Sequence, residues 1–163
     1  KMAGKTLAQS DIDALIEKLQ YYKYTVSFGE TLLGPLKSPP KIEADIETKD
    51  TVLYETGSEA QASIISKNNA KITLELEDVD QAMTMLATFK KGDNLLATSV
   101  SKALTLVPIT DDTGSAAKTL TFPNTFLQPG LSPDFAEGDD PNAVTLSFIA
   151  KPDATTKALF TFA

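Results

Sequence analysis

The chain has 163 residues, 42% of them hydrophobic and 23% charged, which suits one domain burying roughly two-thirds of the surface its unfolded form exposes. No window nears the ~20 consecutive apolar residues of a membrane-spanning helix, and no apolar leader stands between Lys1 and Ser10, so the expectation is a soluble protein. Cysteine and histidine are absent, which excludes disulfides, the common zinc sites and the Ser-His and Cys-His nucleophile pairs; a net charge of -7 with no arginine disfavours a grip on nucleic acid.

In chain order, Ser10 can cap a helix with Asp13 three positions on, and Ile12, Leu15, Ile16 and Leu19 recur at helical spacing. The helix is either an arm that docks on a neighbouring subunit through those four residues or one packed on its own domain. Tyr21, Tyr22 and Tyr24 lead into a strand at Thr25-Val26-Ser27-Phe28, and Gly34-Pro35 with Ser38-Pro39-Pro40 marks a loop. Ile42, Ala44 and Ile46 then alternate with Lys41, Glu43, Asp45 and Glu47, the period-two signature of a strand with one wet face. Short strands are expected at 51–55, 61–66 and 71–77, separated by a turn at Gly57-Ser58 and turn chemistry at Lys67-Asn68-Asn69.

Asp78 caps a second helix, read as 78–91, with Gln81 at the reciprocal position and a stripe of Val79, Ala82, Met83, Leu86 and Phe89; Lys90-Lys91-Gly92 suits its end. Strands are expected at 95–101, 103–109, 119–122, 143–150 and 158–162, with a long irregular segment from Pro123 to Pro141. In the penultimate strand Val144, Leu146, Phe148 and Ala150 face one way and Thr145 and Ser147 the other. The acidic runs Asp111-Asp112 and Glu137-Gly138-Asp139-Asp140 are the candidates for a hard cation, and neither has the spacing of an EF-hand loop. Glu43, Asp45 and Glu47, or Glu75 and Glu77, line wet strand faces where nothing would set one carboxylate's pKa apart from another's. No Gly-rich phosphate loop is present. The expectation is a non-enzymatic, mainly β protein without cofactor or metal: a β-sandwich of mostly antiparallel strands flanked by one mid-chain helix, plus an N-terminal helix. A segment 1–40 forms the helical arm and Pro-rich loop, and 41–163 the sandwich.

From Lys41 onward the order of elements resembles the phage major tail tube family. An acidic two-stranded hairpin, further strands, one helix and a run of strands end in Val144-Thr145-Leu146-Ser147-Phe148-Ile149-Ala150, Lys151-Pro152-Asp153 and an aromatic Leu159-Phe160-Thr161-Phe162. Leu120-Thr121-Phe122-Pro123-Asn124 resembles the strand before that pair. The resemblance implies a virion subunit, assembled in the bacterial host cytoplasm, whose sheets join into a hexameric ring with a continuous inner barrel. Such rings stack into the tail tube, with tail terminator, baseplate or sheath proteins as further partners and DNA passing through without tight binding. It also implies an inter-ring hairpin at 42–65, tipped at 48–52 or 57–59, with Glu43, Asp45, Glu47, Thr48, Lys49, Asp50, Thr51, Val52, Gly57, Ser58 and Glu59 as stacking residues. The N-terminal helix departs from the extended arm expected of the family. The alternative is a sandwich-type binding or adhesion module, against which the lack of tryptophan counts. The charge balance predicts no retardation of duplex DNA at physiological salt in a mobility-shift assay; tight binding would overturn the repulsive reading.

Overall fold

The computed structural model describes residues 6, 8–17, 24–53, 55, 57, 60–109, 118–130, 133–134 and 142–163. The elements are α1 (Gln9–Glu17), β1 (Tyr24–Phe28), β2 (Thr31–Leu33), β3 (Lys41–Val52), β4 (Ala60–Leu76), α2 (Val79–Ala87), β5 (Lys102–Pro108), β6 (Leu120–Leu127), β7 (Pro133–Asp134), β8 (Ala143–Lys151) and β9 (Thr161–Phe162). The protein is mainly β, as its alternating patterns predict. All strands join one nine-stranded sheet with the order β2-β1-β5-β6-β8-β4-β3, β7 pairing with β8 and β9 with β6. Every pairing is antiparallel.

The two layers expected of a sandwich come from rolling this one sheet. Leu33 pairs with Val26 at one sheet edge, and Leu36 bridges to Leu76 of β4 near the other. Three residues span at most ~11 Å, so the two edges meet there. Lys37 N–H donates to the Glu75 carbonyl and Glu77 N–H to the Pro35 carbonyl, both at 2.8 Å, across a corner that holds a cis Gly34-Pro35 peptide. The rings of Phe28 on β1 and Phe148 on β8 lie 5.0 Å apart, although β5 and β6 separate those strands in the sheet. A flat sheet would hold them roughly 14 Å apart. Inside the roll sit Val26, Ile72, Leu74, Leu104, Phe122, Leu146 and Phe148, all nearly or fully buried. The predicted alternation along β8 is present: Val144, Leu146, Phe148 and Ala150 are buried while Thr145 and Ser147 are half-exposed.

Several boundaries differ from the sequence reading. The strand expected at 41–47 runs on through Thr51 and Val52, the start of that expected at 51–55, as one strand, β3, and those at 61–66 and 71–77 are one strand, β4. Asn68 and Asn69 make no turn; they pair with Ile46 and Asp45, because a partner strand satisfies their backbone where a turn would have. The stretch 95–101 is turns, organised by Asn94, whose Oδ1 accepts from Leu96 N–H and whose carbonyl accepts from Ala97 N–H. β6 continues past Pro123 to Leu127 because Pro123 and Asn124 together oppose Ala103 in a bulge, where a proline's missing amide disrupts no ladder bond. The Thr125 hydroxyl, fully buried, donates to the Phe122 carbonyl at 3.2 Å across the bulge. The irregular segment therefore begins after Leu127, and Pro133–Asp134 pairs with Val144 and Ala143. The last strand is only Thr161–Phe162.

Both helix starts differ in detail. α1 begins at Gln9, before Ser10, and the Asp11 carboxylate accepts from the Ala8 N–H at 3.2 Å, reaching back as a capping-box acid does. For α2, Asp78 caps as predicted by accepting from Gln81 N–H at 3.1 Å. Gln81 is not its reciprocal partner: its Nε2 donates to the Leu32 carbonyl at 2.9 Å, tying the helix to β2. α2 ends at Ala87, short of Lys90-Lys91-Gly92, where the Thr88 hydroxyl donates to the Met85 carbonyl at 2.7 Å. Ala82 is fully buried under the roll. Because Phe148 is fully buried at the contact between the two layers, Phe148→Ala is expected to cost about 3–5 kcal/mol in urea unfolding.

Candidate assembly surface

Between Ala70 and Leu76, β4 is paired on both sides, with β8 through Ala150 to Val144 and with the start of β3 or Leu36 on the other. Before Ala70 it pairs, among the described residues, with β3 alone. The β3-β4 hairpin therefore projects from the body over the eight positions from Ala44 to Val52, roughly 27 Å at strand rise. All residues of β3 are exposed, and its outer edge pairs with nothing among the described residues. A strand of that length with an open backbone edge is a ready site for pairing with another chain.

Alternation places Lys41, Glu43, Asp45 and Glu47 on one face, where β4 contributes Lys71, Asn69 and Lys67 opposite the three carboxylates. Lys67 Nζ lies 2.8 Å from Asp45 and 3.9 Å from Glu47, and Lys41 Nζ lies 3.0 Å from Glu43. Hydrogen bonding to Lys41 holds the Glu43 carboxyl below its ordinary value, and the bond to Asp45 raises Lys67 above its own. All are solvent-exposed; Lys41–Glu43 lies within β3, and only the Lys67 contacts cross from β4 to β3, where they favour this register modestly. The opposite face carries Ile42 and Ile46, which are 43% and 54% exposed.

A bulge opposite Glu47 and Thr48 leaves Ser66 as the extra residue on β4, and its hydroxyl donates to the Glu47 carbonyl at 3.3 Å. Beyond it, Val52, Leu53, Ile64 and Ile65 are each about half exposed or more, with Ile64 and Ile65 opposite Lys49 and Thr48 and Val52 at the last pair before the turn. The turn lies between Val52 and Ala60, so residues 48–52 are strand and not tip. Gly57 occupies the turn in a left-handed conformation at φ 78°. Of the residues expected to stack, Glu43, Asp45, Glu47, Thr48, Lys49, Asp50, Thr51, Val52 and Gly57 are on this projection, while Ser58 and Glu59 lie outside the described residues. Ile64 and Ile65 escaped the sequence reading of function. The available signal was their adjacency, since consecutive strand residues point to opposite faces and cannot both enter one core.

On α1, Ile12 and Leu15 are 37% and 51% exposed, uncovered by the described residues; Ile16 lies in the same helix and Leu19 outside the described residues. The candidate cation runs Asp111-Asp112 and Glu137 to Asp140, and the tyrosines Tyr21 and Tyr22, also lie outside them. Among the described residues no group of three or more acidic side chains could hold a metal ion, and no helix is long and apolar enough to cross a membrane.

No protein-family model matches the chain, and no curated protein matches it in sequence. Its fold is shared by solved structures of contractile injection systems. The sheath/tube terminator of an extracellular contractile injection system, PVC, in the extended state is similar at TM-score 0.60 and 14% identity, over 89% of this chain and 96% of that one. A chain of the PVC sheath-tube complex in the extended state is similar at TM-score 0.58 and 17% identity, over 97% and 99%. The tube-terminating cap of the anti-feeding prophage is similar at TM-score 0.59 and 13% identity, over 100% and 95%. The fold expected from the tail tube resemblance is thus shared with tube and terminator chains of injection machines.

The hairpin's ion pairs give a pH signature. Glu43, its pKa lowered chiefly by Lys41 on the same strand and least by Lys71 opposite it, contributes stability above the ordinary carboxylate value and loses it as pH falls through its folded pKa; Lys67, raised by Asp45 across the hairpin, keeps its contribution until pH rises through its own. Backbone chemical shifts of 41–52 and 60–71 are therefore expected to stay constant between roughly pH 5 and 9 and to move together below about pH 4. Shifts that moved instead near pH 7 would contradict these pairings.

Proposed function

We propose that this chain is a structural, non-enzymatic subunit of the tube of a phage tail or related injection machine. In this reading it forms hexameric rings by joining sheet edges, and the rings stack through the β3-β4 hairpin. The observation that carries it is the hairpin itself: about 27 Å of paired strand with both faces in water, exposed apolar residues and an open edge is unexplained by the monomer's own core. The fold shared with tube and terminator chains supports the same role. The negative charge supports a lumen through which DNA slides without sticking. The exposed Ile12 and Leu15 support docking of α1 on a neighbouring subunit, and sheath, baseplate or terminator proteins are the further partners of such a tube.

Two of the similar structures are a terminator and a terminating cap, which favours a second reading as the ring that ends a tube. Negative-stain microscopy of concentrated protein separates the two: a tube subunit gives hollow filaments, a terminal subunit gives single rings. Neither would appear from a monomeric binding module.

Glu47 and Lys67 are paired positions, so replacing residues 48–66 with Asn-Gly joins them by a two-residue hairpin loop. The shortened protein is expected to keep the melting temperature of the body and to lose filaments, leaving rings or monomers. Filaments of normal length from this variant would remove the hairpin as the stacking element.

A further inference from the structure

We propose that the helix-capped end of the body is the receptor for the hairpin tip of a second copy of this chain, so that copies join head to tail. The proposal rests on the stacking role above and names the surface that completes it.

β4 runs its 17 residues from the hairpin turn through the body to Leu76, and α2 starts three residues later, at the end of β4 opposite the tip. There the surface opens into a cavity of about 380 Å³ whose lining includes Phe28, Met85, Phe89 and Leu127, with Lys102 and Asp93 among its polar residues. A neighbouring hollow shares Phe89 and Asp93 and adds Lys90 and Lys91. Lys90, Lys91 and Lys102 are exposed and belong to no ion pair among the described residues. The carboxylate beside them, Asp93, accepts from the Lys90 backbone N–H at 2.8 Å.

The hairpin tip has the complementary character. Val52 and Leu53 are exposed at the turn, with Asp50 and Glu55 as exposed carboxylates on either side of them in sequence; Ile64 and Ile65 are exposed further back, where Lys49 opposite Ile64 is the one exposed cation among the described residues from Thr48 to Ile65. An apolar tip flanked by acids matches an apolar hollow rimmed by lysines, and burial of the aliphatic groups supplies the driving force while the charges select orientation. The two surfaces differ and sit at opposite ends. The contact is therefore heterologous, and with its two surfaces at opposite ends it can repeat along an axis, which is the symmetry of a stack.

The chain has no cysteine, so introduced thiols report one contact at a time. With a short bis-maleimide, the double variant Val52→Cys/Thr88→Cys is expected to give a ladder of covalent oligomers, while either single variant stops at dimers. Asp50→Lys/Glu55→Lys and Lys90→Glu/Lys91→Glu should each reduce sedimentable filament by about tenfold at low salt, and all four substitutions in one chain should restore it. Filaments that form with no ladder, and that ignore both charge reversals, would overturn the receptor site and leave the stacking role standing. A wild-type chain that forms neither rings nor filaments and cross-links nowhere would overturn both.

Discussion

Strand β4 changes partners partway along its length, and the rest of the molecule is arranged around that change. From Ala70 to Leu76 it is held on both sides, and every second residue, Ala70, Ile72, Leu74 and Leu76, is buried. Before Ala70 its neighbour β8 is no longer there. β8 ends at Lys151 because Pro152 has no amide to donate and Asp153 turns the chain. The Asp153 carboxylate accepts from the N–H groups of Thr156 at 2.9 Å and Thr155 at 3.1 Å, bonds that hold its pKa below the ordinary value. A short turn at the end of one strand thus decides that its neighbour leaves the body accompanied only by β3.

The body that anchors this projection is stabilised by closure. The chain crosses from the β2 edge to the β4 edge within three residues, and Gln81 of α2 bonds to the Leu32 carbonyl beside that crossing. One end of the roll is covered by α2 in the same step. The Pro123 bulge serves the same curvature, since an extra residue on one strand bends and twists it. At the opposite edge of the sheet nothing comparable covers β3 among the described residues, and exposed edges of that length are normally blunted in proteins that stay monomeric. In the proposed assembly, neighbouring copies do the covering.

A two-stranded ribbon in water is marginal by itself; this one is held by its backbone ladder, carries charge pairs on one face, and leaves Ile42 and Ile46 exposed on the other. That division suits an element that must be formed before it meets its partner. Pairing of β3 with β4 fixes its shape, and in the proposed assembly its exposed apolar residues provide the later contact. The cavity at the helix end is lined by Phe28, Met85, Phe89 and Leu127, with Lys102 and Asp93 among its polar residues, so in the proposed assembly charge and shape would select the same docking direction.

The sequence by itself determined the mainly β class, the buried face of β8, the Asp78 cap of α2, the Pro-Asp turn and a wet, charged β3, because each depends on neighbours two to four residues apart. Local rules misled where pairing partners came from far along the chain. Asn68 and Asn69 read as a turn and became strand opposite Ile46 and Asp45; Pro123 read as a strand end and became a bulge; Gln81 read as half of a capping box and instead tied α2 to β2. For the assembly surface, the charged residues of β3 were legible by alternation. The exposure of Ile64 and Ile65, and the gathering of Lys90, Lys91 and Lys102 around Phe89, were decided only by tertiary structure. A hydrophobic residue carries no mark of whether its face will meet its own core or water. That depends on where β8 stops, and β8 lies some eighty residues further along the chain.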